Sequence, residues 1–294
     1  MRMGAFWVKE PIPELNSPYA FAILQPWIDV NNVGTLVLKE LETQFGAKGL
    51  ARFAKPGHFF DFTRYRPTLY FEEGIRRLSV PNVKLRYAKR EGGNDFLFLH
   101  LLEPHGLSEF YIDSVLKILK ALKVKKYILL GSMYDMVPHT RPLIIHGGAT
   151  GEKAEQDVKK ARVFSSHYQG PTTITTLINH QAHEFGIETI RFIVSLPQYV
   201  VLEEDYIGKV RLMEILNLLY NIPMNENDFE RAREQRSLIS QKVERTPELK
   251  HILPQLEAMY DVRIKSEGGE GIPRLSSDIE EILWKIKDKD LGKA

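Results

Sequence analysis

The 294-residue chain contains no cysteine, which removes disulfides, thiolate metal ligands and cysteine nucleophiles together. It also lacks any run of about 18 apolar residues, the length a membrane-spanning helix needs. Its most hydrophobic stretches, 96–102, 127–130 and 190–196, are strand-length. The N-terminus reads Met1-Arg2-Met3-Gly4 with Pro11 and Pro13 beyond, without an apolar segment and small-residue cleavage site. No secretory signal is expected, and the cytoplasm is the expected location.

Complete catalytic signatures are missing as well. Neither G-x-G-x-x-G nor G-x-S-x-G occurs, so dinucleotide binding and α/β-hydrolase chemistry lose their usual sequence support. The segment His146-Gly147-Gly148-Ala149-Thr150-Gly151-Glu152-Lys153 approaches a phosphate loop, but Glu152 separates Gly151 from Lys153 and Ala154 stands where Ser or Thr is needed. A plain strand-to-helix connection is the expectation there. His180 and His183 share a helix face, yet the zinc-protease order places Glu directly after the first His, and here Glu184 follows the second. We expect a surface pair, and neither a metal nor a cofactor.

What is present is a balanced, core-forming composition. Hydrophobic residues make up 43% and aromatics 10%, enough to fill a sizeable core. The 40 basic and 38 acidic residues are interspersed, so the net charge of +2 implies no nucleic-acid footprint. The densest basic stretch, Lys84, Arg86, Lys89 and Arg90, alternates with apolar residues and reads as a solvated strand face.

Along the chain, 19–24 is a short apolar strand followed by a Gln25-Pro26-Trp27-Ile28-Asp29 loop. Asn31 or Asn32 offers an N-cap for a helix carrying Val33, Leu36, Val37, Leu41 and Phe45 and stopping at Gly46. Segments 69–71 and 75–80 flank Glu72-Glu73-Gly74 as a hairpin that 83–88 could extend. In the centre, strands at 96–102, 127–130, 143–146 and 188–195 alternate with helices, one capped by Ser108 and one opened by Thr172 or Thr173 and closed by Gly186. That rhythm predicts an α/β fold, a mixed and largely parallel sheet flanked by helices. After Ile222-Pro223 only helical periodicity remains, at 226–242, 247–260 and 277–289, with a Gly/Glu-rich spacer at 266–271. The expected division is an α/β body, 1–222, and a helical C-terminal appendage, 223–294, packed on it.

Strand ends in open α/β sheets are where ligands gather. Here they deliver Trp27 and Asp29, then Glu103 and His105, then Asp135, His139 and Arg141, and finally Gln198 and Tyr199. Parallel, adjacent strands would bring these to one crevice. In an enzyme acting on a small phosphorylated or nucleoside-like ligand, Arg141 would bind an anion, His139 or His105 would move a proton, and Asp29, Asp135 or Glu103 would orient substrate. The alternative is that each residue caps a turn or ties two loops.

Two segments, Asp135-Met136-Val137-Pro138-His139-Thr140-Arg141-Pro142 and Tyr168-Gln169-Gly170-Pro171-Thr172, resemble the D-V-P-H-T-R-P-like and Y-E-G-P-T-G-like signatures of the proteasome assembly chaperone 2 family, in its bacterial and archaeal branch. Trp27-Ile28-Asp29, Phe60-Asp61-Phe62 with Arg66-Pro67, Glu103-Pro104, Leu196-Pro197-Gln198-Tyr199-Val200 and Gln255-Leu256-Glu257 resemble further family segments in the same order. The resemblance implies a body similar to the purine nucleoside phosphorylase-like fold and a homo-oligomer, with a trimer favoured. It also implies an assembly-chaperone-like factor with a protein partner and no established reaction, and a candidate ligand or partner surface that includes Tyr168, Gly170 and Thr172. Gln198 and Gln169 stand where the family pattern has histidine and glutamate, so two titratable groups are absent from that surface. The chain ends Asp290-Leu291-Gly292-Lys293-Ala294, without the hydrophobic-Tyr-any motif found at the end of some of these chaperones.

Overall fold

The β-branched and aromatic runs of the sequence line up side by side at the centre of the molecule. In the computed structural model, which describes residues 1–166 and 168–266, strands β1 (Arg2–Met3), β2 (Phe6–Val8) and β3 (Tyr19–Gln25) are followed by helix α1 (Val33–Gln44) and β4 (Lys48–Phe53). A hairpin, β5 (Thr68–Glu72) and β6 (Ile75–Ser79), precedes β7 (Lys84–Ala88), β8 (Phe96–Leu102), α2 (Ser108–Ala121) and β9 (Lys126–Asp135). Then come β10 (Ile145–Thr150), α3 (Glu152–Ala161), β11 (Phe164–Ser165), α4 (Ile174–Ala182) and β12 (Glu188–Pro197). Helices α5 (Tyr206–Tyr220), α6 (Glu226–Glu244) and α7 (Pro247–Lys265) complete the described chain. The expected helix at 277–289, the rest of the spacer and the chain terminus lie outside the described residues.

Ten strands form one mixed sheet in the order β1-β2-β4-β7-β8-β3-β9-β12-β10-β11, and the β5–β6 hairpin stands apart. The protein is α/β, as expected. Its parallel part is the centre, β8, β3, β9 and β12, while β2, β4 and β7 on one side and β10 on the other run antiparallel to their inner neighbours. Central parallel strands are buried on both faces, and their side chains alternate between two cores. Ala20, Ala22 and Leu24 pack with Tyr111, Leu119 and Ile178 of α2 and α4. Phe21 and Ile23 pack with Val37, Leu41, Leu212 and Leu216 of α1 and α5. A third cluster joins Tyr199 and Val200 to Ile239 and Val243 of α6 and Leu249, Ile252 and Leu256 of α7.

Four local expectations change. Segment 83–88 does not extend the hairpin, because β7 pairs with β4 and β8 inside the main sheet. Asn32 stands at the N-cap of α1, but no side-chain hydrogen bond from Asn31 or Asn32 caps the helix. Their amides donate instead to the carbonyls of Val200 and Glu203, and the Asp29 carboxylate accepts from Thr35 N at 3.1 Å. Ser108 is the first residue of α2 rather than its cap. Finally, β9 does not stop at Gly131. It runs on to Asp135, because a residue without Cβ lets the Ile28 carbonyl cross the strand, where a Cβ at 131 would sit 2.4 Å from that oxygen.

Candidate functional site

Alternation along the two central strands builds the site. On β12, Ile190, Phe192, Val194 and Leu196 enter the second core, leaving Arg191, Ile193 and Ser195 on the opposite face. On β9, Leu129, Met133 and Asp135 share that face. Helix α4 covers only part of it. A cleft of about 620 Å³ is left between the sheet, α4 and the segment around residue 170.

One end of the cleft is a closed polar cluster. Asp135 Oδ2 accepts from Ser195 Oγ at 2.8 Å and from Arg263 Nη1 at 2.9 Å, and Oδ1 accepts from Met136 N at 2.7 Å. Arg263 Nη2 lies 2.7 Å from His146 Nε2, and since a guanidinium only donates, that nitrogen is the acceptor. Burial acts to raise the Asp135 carboxyl, but the Arg263 charge and the hydrogen bonds from Ser195 and Arg263 outweigh it and hold the group well below the usual carboxylate range. Arg263 comes from α7, so the helical tail contributes directly to this wall.

The lip of the cleft carries the second family-like segment. Tyr168 is 63% exposed and its hydroxyl donates to Pro171 O at 2.8 Å, folding the ring over Gly170. Gly170 has φ +152°, and a Cβ there would lie 2.8 Å from the Tyr168 hydroxyl oxygen. Thr172 and Thr176 share a hydroxyl contact of 2.6 Å, and Thr173 and Thr175 one of 2.8 Å.

Of the strand-end residues expected to converge, only Asp135 lines this cleft, together with Tyr168, Gly170 and Thr172 of the family-like surface. The others are placed elsewhere. Asp29 is buried and accepts from Thr35 N and Thr35 Oγ1, fastening the start of α1, and burial raises its carboxyl despite those bonds. Glu103 Oε1 accepts from Ile174 N at 3.0 Å and so caps α4 from the neighbouring strand end, while burial raises this carboxyl too. His105 is exposed, with Nδ1 accepting from Asp61 N at 3.1 Å and its ring against Tyr65 at 4.6 Å. Trp27 is 66% exposed on the turn after β3.

The strongest family-like segment turns out to be a dock for α7. Arg141 forks onto Asp261 and reaches Glu257, Thr140 Oγ1 donates to Glu257, and Tyr260 donates to Pro142 O. His139 is buried, with its N–H and its Nδ1 both 2.8 Å from the Tyr199 hydroxyl. That hydroxyl accepts the backbone N–H and donates to Nδ1, and burial lowers the imidazole. Gln198 N donates to Asp135 O at 3.3 Å. His139, Arg141, Asp29 and Glu103 are therefore engaged as internal ties, and no acid, base and anion-holding group face one reacting atom among them. Among the described residues no group of three or more His, Asp or Glu side chains could hold a metal ion.

Sequence reasoning missed Arg191, Ser195, His146 and Arg263. A signal existed for the first: Arg191 interrupts the apolar run of a central strand, and Gly147-Gly148 sit in the strand beside it.

Comparison with known proteins agrees with the family resemblance. No curated protein matches the chain. Among solved structures, a PAC2 family protein from Streptomyces avermitilis has 19% identity and a TM-score of 0.72, covering 81% of this chain and 99% of that one. A proteasome-assembly chaperone homologue from Mycobacterium tuberculosis has 19% identity and a TM-score of 0.70, covering 79% and 98%. PbaB, an archaeal proteasome activator from Pyrococcus furiosus, has 14% identity and a TM-score of 0.63, covering 81% and 99%. The profile of the PAC2 family matches residues 23–244, and the chain belongs to that family.

Proposed function

We propose that this chain is a non-catalytic, self-associating, assembly-chaperone-like protein that engages a protein partner through exposed apolar surface. The observation that carries the reading is the β5–β6 hairpin. Leu69 pairs with Leu78 and Phe71 with Arg76 on one face, Tyr70 with Arg77 and Ile75 with Glu72 on the other, and every residue of both strands is exposed. Phe71 is 69% and Leu78 64% exposed. A two-stranded hairpin is marginal in water by itself, so one with apolar side chains on both faces is suited to being covered.

Relatives whose names speak of proteasome assembly and activation support a protein partner over nucleic acid or membrane. No described helix is long and apolar enough to cross a membrane, and we place the protein in the cytoplasm. In this reading residues 1–222 form the body and 223–294 an appendage, and three copies assemble.

Light scattering on the purified full chain, with Phe71→Asp/Leu78→Asp beside it, tests self-association. A trimer that the double variant weakens is expected, and a wild-type monomer would overturn it. A photo-crosslinker at position 71 in the native host tests the partner, and adducts of the chain with itself alone would sink that part.

A further inference from the structure

We propose that the cleft over β9 and β12 is a binding site for a small molecule carrying one anionic oxygen group, a carboxylate or a phosphate, on an apolar body, with Arg191 as the anion-holding residue. This site is independent of the assembly reading.

The charge argument rests on where Arg191 stands. It projects from the middle of β12, is partly buried and lines the cleft, yet among the described residues no carboxylate or other hydrogen-bonding group pairs with it. Most other buried or half-buried cations of the fold have anionic partners, and the Arg90 guanidinium lies over the rings of Phe45 and Phe96. Lys126 meets Asp157, Lys209 meets Asp228, and Arg263 meets Asp135. A guanidinium drawn out of bulk water and left without an anion is costly, and a planar donor fork is matched by carboxylate or phosphate oxygens.

The strand beside it is shaped to receive that side chain. Gly148 is the cross-strand partner of Arg191, and a Cβ at 148 would lie 2.9 Å from Nε and 3.0 Å from Nη2. The missing side chain is the space in which the guanidinium lies, so its direction is set by the neighbouring strand rather than left to solvent. Arg191 is thus a built element of the cleft, unlike a surface arginine.

The rest of the cleft fits the remaining parts of such a ligand. Met133, in the middle of the sheet, is 44% exposed, and with Ile193, Ile28 and Tyr168 it forms an apolar floor and lip. Each threonine pair, 172 with 176 and 173 with 175, uses one hydroxyl proton internally and has one O–H left to donate. The volume of about 620 Å³ falls in the range of small-molecule sites.

Isothermal titration of the full chain with benzoate, phenyl phosphate and inorganic phosphate tests the proposal. At least one aromatic anion should saturate a single site, and the tighter of the two identifies the anionic group. Arg191→Gln should weaken that binding by about tenfold or more. Gly148→Ala, which pushes the guanidinium aside, should weaken it too. Met133→Glu puts a negative charge on the exposed floor and should abolish binding without entering the core, which guards against misfolding of the other two variants. An absence of saturable binding by either aromatic anion, or equal affinity in Met133→Glu, would overturn the proposal. Equal affinity for inorganic phosphate and phenyl phosphate would overturn its apolar half.

Discussion

Arg141 and Asp261 meet in a two-pronged contact, Nε to Oδ1 at 3.1 Å and Nη2 to Oδ2 at 3.2 Å, which fastens the 136–142 loop to the last turns of α7. The hydrogen bonds from Arg141 hold the Asp261 carboxyl below its usual range. Arg141→Lys keeps the charge but loses the planar fork. We expect it to lower the melting temperature and to speed hydrogen exchange in α7 ahead of the central strands. Uniform exchange across the molecule would show that the tie is not specific to α7.

Gly131→Ala forces a Cβ to within 2.4 Å of the Ile28 carbonyl oxygen, a backbone atom that also accepts from Ser132 N at 2.9 Å. Either β9 or the 26–32 loop must move. A loss of about 1–3 kcal/mol in denaturant-measured stability is expected, as for other overpacked sites. A change within about 0.5 kcal/mol, the range of ordinary surface substitutions, would contradict this account.

Tyr199→Phe leaves the buried His139 N–H and Nδ1 without their shared hydroxyl. The cost should be about 1–3 kcal/mol, read from urea unfolding, because a buried group left unpaired loses its full desolvation term. His139→Phe in the Tyr199→Phe background should cost less than the sum of the two single changes.

Asp29 and Asp135 predict opposite pH signatures. Asp135 is depressed in the folded state, so its contribution is present above the unfolded carboxylate range, near pH 4, and is lost as pH falls. Asp29 is raised by burial, so its contribution is present below that range and is lost as pH rises through its folded value. The destabilisation caused by Asp135→Asn should therefore shrink on acidification from neutral pH, whereas that caused by Asp29→Asn should grow. Parallel pH profiles for the two variants would refute the assignment.

Much of the architecture was legible in the chain because local patterns and burial agree. Helix α6 (Glu226–Glu244) covers the stretch where helical periodicity was expected, and Asp205 caps α5 by accepting from Gly208 N. Gly186 closes its helix with φ +69°. The family was legible for a similar reason: its motifs are short loops of Pro, Gly and charged residues whose order survives in the sequence.

The class of fold and the family can be read from the chain's own local patterns and motif order. What the polar residues of the strand ends and loops do is settled by tertiary contacts. Whether Asp29, Glu103, His139 and Arg141 face a ligand or each other depends on contacts across as many as 120 residues, such as Arg141 to Asp261, and no local pattern encodes those. The same holds for Arg191. Its meaning comes from a glycine on the neighbouring strand and from a helix that covers only part of the sheet, and both are facts of packing.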